Sequence, residues 1–212
     1  MSFYNIYKKY EDTDFDDLLG RVTAKNVKKA LDEDRLEERS LISLLAPRAE
    51  DLLEEMAVRA HDITERHFGR TIQLYTPMYL SNYCENSCVY CGFKKDNDIK
   101  RRKLSLEEVE REGKFIAATG LRHILILTGD SREYAPVTYI AECVRLLRRL
   151  FSSVSIEIYA LSEPEYSKLV ESGVDSITIY QELYDERKYE KAHPSGPKKN
   201  YRFRLDAPER AA

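Results

Sequence analysis

The chain has 212 residues, 42% hydrophobic and 33% charged, with a formal net charge of −3 and a pI of about 5.9. This is enough for one good-sized globular domain, and the mildly acidic balance argues against a sequence-independent grip on nucleic acid or an anionic membrane. No apolar run approaches the roughly 18 residues of a membrane helix, Met1-Ser2-Phe3-Tyr4-Asn5 lacks the features of a signal peptide, and four cysteines make a poor disulfide framework at this size, so a cytoplasmic protein is expected.

Residues 1–71 read as a helical N-terminal region. Phe15, Leu18 and Leu19 share one face of a short helix over residues 14–19 that Gly20 stops. Thr23 suits the N-cap of a helix over residues 24–32, with Val27, Ala30 and Leu31 on one side. A short helical turn over 40–45 precedes Pro47. A longer helix over 48–68 carries Leu52, Leu53, Met56, Ala57, Ala60 and Ile63 inward and stops at Gly69. Its His61 and His67 are read as solvated.

From Ile72 the hydrophobic period becomes strand-like. A strand over 72–81, irregular or at a sheet edge because of Pro77, leads into a cysteine-bearing loop. Ser105 and Glu108 form a capping box, with Leu104 and Val109 as its staple, for a helix that turns Phe115, Ile116 and Ala118 inward and ends at Gly120. The run His123 to Leu127 is a strand covered on both faces. The unit then repeats: a helix over 137–151 with Ile140, Val144, Leu147 and Phe151 inward, a strand over 154–161, and a helix capped by Ser162 and Glu165. A fourth strand covers 175–181. This alternation specifies parallel, right-handed βα units over residues 72–212. Asp206 N-caps a final helix for which no C-cap follows. Four βα units with unpaired outer strands are half of a closed (β/α)8 barrel, so the chain is expected to be truncated.

The chemistry concentrates in Cys84-Glu85-Asn86-Ser87-Cys88-Val89-Tyr90-Cys91, a C-x3-C-x2-C spacing. Thiolates are soft ligands that select zinc, copper(I) or iron–sulfur clusters. Three of them fill three corners of a [4Fe–4S] cube and leave one iron open. The alternative is a zinc site completed by a remote His or Cys, in a zinc-stabilised βα interaction domain. Cys143, among helix residues, reads as a small core hydrophobe. In parallel βα architecture the reactive groups gather at the C-terminal strand ends. There stand the cysteine loop, Thr128-Gly129-Asp130, Glu157 facing away from Ile156 and Ile158, and Tyr180-Gln181-Glu182. Asp130 and Glu182 serve equally as helix-capping carboxylates, Gly129 as a turn residue and Tyr90 as packing. The basic run Lys94, Lys95, Lys100, Arg101, Arg102 and Lys103 reads as solvated surface.

An aromatic before the third cysteine of such a loop, placed after the first strand of a βα barrel, resembles the radical S-adenosylmethionine (SAM) superfamily. The runs YLSNYCENSCVYCGF, LTGDSRE, SIEIYAL and IYQELYDERKYEKAHPSGPKKNYRFRLDAPERAA are similar to its aromatic-amino-acid lyases. Nearest are the 2-iminoacetate synthases, the tyrosine lyases of thiamine thiazole biosynthesis; the tyrosine lyases of [FeFe]-hydrogenase maturation are near relatives. The resemblance implies the N-terminal half of a (β/α) TIM-type barrel behind the helical region, and cleavage of the Cα–Cβ bond of tyrosine to 2-iminoacetate and p-cresol. It implies a [4Fe–4S] cluster on Cys84, Cys88 and Cys91, shielded by Tyr90. SAM is then contacted by Gly129 and Asp130, by Glu182, and by Arg204 on its carboxylate, where bidentate geometry suits arginine; Glu157 faces the same rim. Tyrosine as substrate, a flavodoxin or ferredoxin as electron donor and a thiazole synthase as partner follow, with the 212 residues inactive alone. Two positions depart from the pattern: Asp130 stands where Glu is usual, and Leu183 where Thr is usual.

Overall fold

The computed structural model describes residues 2–212. They separate into two compact units, one over residues 7–72 and the other over Gln73–Ala212 together with residues 2–6. The division falls inside the first helix, α1 (Phe3–Tyr10). Among the described residues, no helix is long and apolar enough to cross a membrane.

The unit over residues 7–72 is built from short helices. Asp14 caps α2 (Phe15–Gly20), and a reciprocal Thr23–Asn26 capping box opens α3 (Ala24–Asp32). Val27 and Ala30 are buried, as are Ala46 and Ala49. The helix α4 (Glu38–Leu45) begins two residues before the expected start, because Ser40 Oγ accepts the Glu37 N–H at 3.1 Å and donates to Glu33. The expected helix over 48–68 is broken in two. A 3-10 stretch, Pro47–Leu52, precedes α5 (Leu53–Phe68), since Leu52 (φ −118°, ψ 18°) leaves the α region. On α5, Met56 and Ile63 are half-buried, whereas Leu53, Ala57 and Ala60, expected inward, are exposed. His61 and His67 are exposed too. Gly69, at φ 65°, stops the helix in a conformation that costs other residues more.

The larger unit carries β1 (Tyr75–Ser81), α6 (Leu106–Ala118), β2 (His123–Thr128), α7 (Val137–Leu147), β3 (Ser153–Glu157), α8 (Glu163–Ser172) and β4 (Ser176–Ile177). Three further helices follow: α9 (Glu186–Ala192), α10 (Tyr201–Leu205) and α11 (Ala207–Ala211). The four strands form one parallel sheet in the order β1-β2-β3-β4. Pro77 lies opposite Leu125 on the edge strand β1, where its missing N–H breaks no second ladder. Met78, Leu80, Ile124, Ile126, Val154 and Ile156 form one core with Ile140, Val144, Leu147 and Phe151 from α7 and the turn after it. Cys143 is in that core and fully buried, and burial pushes its thiol up to about 11.

Four local expectations are corrected. On α6 the inward face is Val109, Gly113, Ile116 and Ala117, while Phe115 is 72% exposed and Ala118 is exposed. A side chain at Gly113 would stand 2.7 Å from Leu147 Cδ2, so the contact with α7 is made where the sequence shows no apolar bulk. The strand β4 has two residues rather than seven, extended by one bond from Thr178 N to Ile156 O, and it has a neighbour on one side only. The strand β3 stops at Glu157, and residues 158–161 continue as buried loop. Asp206 does not cap α11 with its side chain; the carboxylate turns back to Arg202 at 3.1 Å.

The capping box of α8 is present as expected. Glu165 accepts from Ser162 N at 2.9 Å and Oγ at 2.8 Å, and Arg132 from the β2–α7 loop joins it. The hydrogen bond from Arg132 is the main cause holding the Glu165 carboxyl down at about 2. A carboxyl lowered on folding contributes stability above the ordinary glutamate range, and the contribution is lost as pH falls toward about 2. Glu165→Gln is expected to destabilise the chain by ~1 kcal/mol at neutral pH. The difference from the parent should vanish in denaturant titrations near the acid limit; a difference that persists there overturns this account.

Candidate functional site

The loop after β1 is held in shape by backbone hydrogen bonds from both sides. Glu85 N donates to Asp130 O at 2.8 Å, and Gly129 N donates to Ser81 O at 2.8 Å. The approach is so close that a Cβ on Gly129 would lie 2.2 Å from Tyr83 O, which leaves glycine as the residue that fits. On the other side, Val89 N donates to Ala192 O at 3.0 Å and Ser87 N to Ser195 O at 3.2 Å. Asn86, 1% exposed, joins the two sides. Its Oδ1 accepts from Lys198 N at 2.8 Å, and its Nδ2 donates to Asp130 Oδ2 at 2.8 Å and lies 3.6 Å from Cys84 Sγ.

The basic run after the loop is not uniformly solvated. The Arg101 guanidinium donates to Asn82 O, Phe93 O and Lys94 O at 2.7–2.9 Å, closing the loop at its base. Arg102 pairs with Glu108 at 2.6 Å, and Lys103 sits 4.1 Å over the Tyr139 ring. Burial of carbonyls around Arg101 is a property of the folded loop that a count of charges does not reveal.

Cys84, Cys88 and Cys91 line one cavity of about 360 Å³, within the roughly 300–1,000 Å³ of small-molecule sites. Tyr90 borders the same cavity, as do Gly129 and Asp130 from the end of β2, Glu157 from β3, and Glu182 and Arg204 from beyond β4. All nine positions singled out from the sequence therefore meet in one place. Leu127 and Glu157, paired in register on β2 and β3, form part of the floor. A larger cavity, about 760 Å³, lies in the unit over residues 7–72 and is lined by no thiol. Among the described residues, no three His, Cys, Asp or Glu side chains are gathered closely enough to hold one metal ion.

The electrostatics follow from three carboxylates and two cations. Burial raises the Asp130 carboxyl, against the Asn86 hydrogen bond and Arg204. Burial also raises Glu157, with Arg204 opposing and Glu182 reinforcing. Glu182 is ion-paired with Lys198, and Arg204 Nε donates to Tyr180 O at 2.9 Å. Burial pushes the Cys88 thiol up, while the Lys198 charge pulls the other way. Tyr79 and Phe93 meet edge to face, 5.6 Å between centroids, on the cavity wall.

Three residues here escaped the sequence reading: Asn86, Lys198 and His193. Asn86 hides between ligand-type residues. Lys198 and His193 belong to His193-Pro194-Ser195-Gly196-Pro197-Lys198, whose density of Pro and Gly marks a stiff turn. Gly196, at φ 92°, would bring a Cβ within 2.4 Å of Asn86 Oδ1, so the turn is built to press against the cysteine loop.

Residues 78–212 match the Radical SAM superfamily, and the chain belongs to it. Members use a [4Fe–4S] cluster and SAM. The chain is 37% identical to the 2-iminoacetate synthase of Escherichia coli (strain K12) over 205 residues, which are 95% of this chain and 54% of that one. It is 28% identical to the 3-methylornithine synthase of Methanosarcina acetivorans over 165 residues, 77% of this chain and 47% of the other. The crystal structure of HydG, a maturase of the [FeFe]-hydrogenase, superposes with a TM-score of 0.86 at 31% identity, covering 94% of this chain and 47% of that one. The chain thus spans about half the length of the curated relatives it matches.

Gly129→Ala is expected to push the β2 turn off the cysteine loop and cost ~1–3 kcal/mol, the range for overpacking. Thermal unfolding of the two proteins checks this; an unchanged Tm would mean that the close approach to Tyr83 O carries no constraint.

Proposed function

We propose that Cys84, Cys88 and Cys91 hold a [4Fe–4S] cluster with SAM beside it. On this reading the chain supplies that half of a tyrosine lyase, which cleaves the Cα–Cβ bond to give 2-iminoacetate and p-cresol for thiamine thiazole biosynthesis. The observation that carries the proposal is the meeting of three thiols with Asp130, Glu157, Glu182, Lys198 and Arg204 around one cavity. The residues fit the cofactors. A cubane takes one thiolate per iron, so sulfurs spread round a cavity wall suit it. The excess of carboxylates complements a sulfonium and an ammonium, and Arg204 complements a carboxylate. Thr128 Oγ1, on the same wall, is buried without a hydrogen-bond partner, as a hydroxyl that awaits a ligand would be.

When bound, the cluster and SAM supply one-electron reduction and radical hydrogen abstraction; the protein supplies orientation and a dry site. Asn86 fixes the carboxylate of Asp130, which stands where Glu is usual, by its 2.8 Å bond. Lys198 holds Glu182 in place through their ion pair. Tyr79, Tyr90 and Phe93 present apolar surface that limits water at the thiolates. Tyrosine as substrate, a flavodoxin or ferredoxin as electron donor, a thiazole synthase as partner and a cytoplasmic location belong to the same proposal. The 37% identity to 2-iminoacetate synthase, against 31% to HydG, is what favours the thiazole pathway over hydrogenase maturation.

Anaerobic reconstitution tests the reading. The chain is expected to become brown and to bind about four irons with matching sulfide, and Cys84→Ala, Cys88→Ala and Cys91→Ala should each abolish this. A colourless protein carrying zinc would sink the cluster and leave the interaction-domain reading. With SAM, a reductant and tyrosine, the 212 residues alone are expected to release no p-cresol, because the relatives carry as much chain again. Turnover by these residues would refute that part.

A further inference from the structure

Asn86 lies between the first two cysteines of the loop and is 1% exposed. Its side-chain amide fits its neighbours in one orientation. The backbone N–H of Lys198, 2.8 Å away, is a donor and nothing else, so the amide oxygen lies on that side. Gly196 keeps the turn before Lys198 pressed there, since a Cβ on it would stand 2.4 Å from Asn86 Oδ1. The amide nitrogen is thereby turned toward Asp130 and Cys84. It carries two hydrogens. One goes to Asp130 Oδ2 at 2.8 Å, and the other is left for Cys84 Sγ at 3.6 Å, the longer separation that a large sulfur acceptor imposes.

We propose that Asn86 is a positioning residue for the cluster: its N–H···S bond to Cys84 raises the reduction potential, and Lys198 aims the amide that makes it. The proposal rests on the cluster reading above. A hydrogen bond to a cluster-bound thiolate stabilises the reduced, more negative state. Cys91 has a donor too, the Phe93 backbone N–H at 3.4 Å, but that donor does not depend on a side chain. The bond to Cys84 does, and substitution removes it. The same amide holds Asp130, so the acid proposed to contact SAM and the cluster proposed to reduce it share one donor group. A turn more than a hundred residues along the chain thus reaches Cys84 through a single side chain.

Three measurements test this. In the metal-free chain, the Asn86 side-chain hydrogens should exchange with solvent at least about tenfold more slowly than those of the exposed Asn5. Equal exchange overturns the placement. In the reconstituted, reduced protein with 15N in its asparagine side chains, pulsed electron paramagnetic resonance should show a weak 15N coupling; its absence refutes the bond. In a potentiometric titration, Asn86→Leu should lower the reduced-to-oxidised ratio at a fixed potential about threefold to tenfold, a shift of ~30–60 mV for a one-electron couple. The same substitution in the Asp130→Ala background should lower it by the same factor. No shift refutes the assignment, and so does a shift that disappears with Asp130, because the effect then runs through the carboxylate. A parent chain that builds no cluster refutes the cluster reading instead, and the proposal with it. The exchange and 15N measurements use the unsubstituted sequence and decide the matter even where the leucine variant does not fold.

Discussion

One buried side-chain amide ties together three segments that lie far apart in the chain. Asn86, itself buried, accepts from the backbone of Lys198, donates to Asp130 and lies beside Cys84. The amide is polar and buried, so the cost of leaving its donor or acceptor unpaired is on the order of 1–3 kcal/mol. The geometry of the thiols, of the second-strand carboxylate and of the turn that bears Lys198 is thereby shared. Moving one segment strands the hydrogen-bonding groups of the other two.

Around that tie the sheet supplies order of another kind. The four strands follow one another in sequence, so each strand end adds the next stretch of cavity wall: thiols, then Asp130, then Glu157, then Glu182. The walls differ in rigidity. Gly129 is packed so tightly against Tyr83 that no side chain fits, whereas Tyr90 is 53% exposed. The rigid contacts position the ligands, and the aromatic surface is left to meet what enters.

Much of this was legible from residue patterns. The capping boxes at Ser105 and Ser162 were readable because they are local, each decided by four consecutive residues. The meeting of the thiols with Gly129, Asp130, Glu157, Glu182 and Arg204 followed from one rule about parallel strands and from the resemblance to a family. What escaped has a common cause. The inward face of α6 is set by Gly113, a residue with no apolar side chain to count. The length of β4 depends on how many neighbours it has, which is not a property of residues 175–181. Asn86, Lys198 and His193 act through contacts that span more than a hundred residues, and no periodicity encodes those. Arg101 looked like one charge among many because its partners are backbone carbonyls.

That last contact bears on how the thiols come to be ready. Asn82 precedes Cys84, Phe93 follows Cys91, and one guanidinium bridges their carbonyls, so the intervening residues form a ring closed by a side chain. Closing a loop of this size costs conformational entropy, and the guanidinium's hydrogen bonds to the two carbonyls offset part of it. Metal sites whose ligands are scattered in the free chain must draw on binding energy to gather them. On the cluster reading proposed above, a loop that Arg101 already draws closed asks less of the incoming metal.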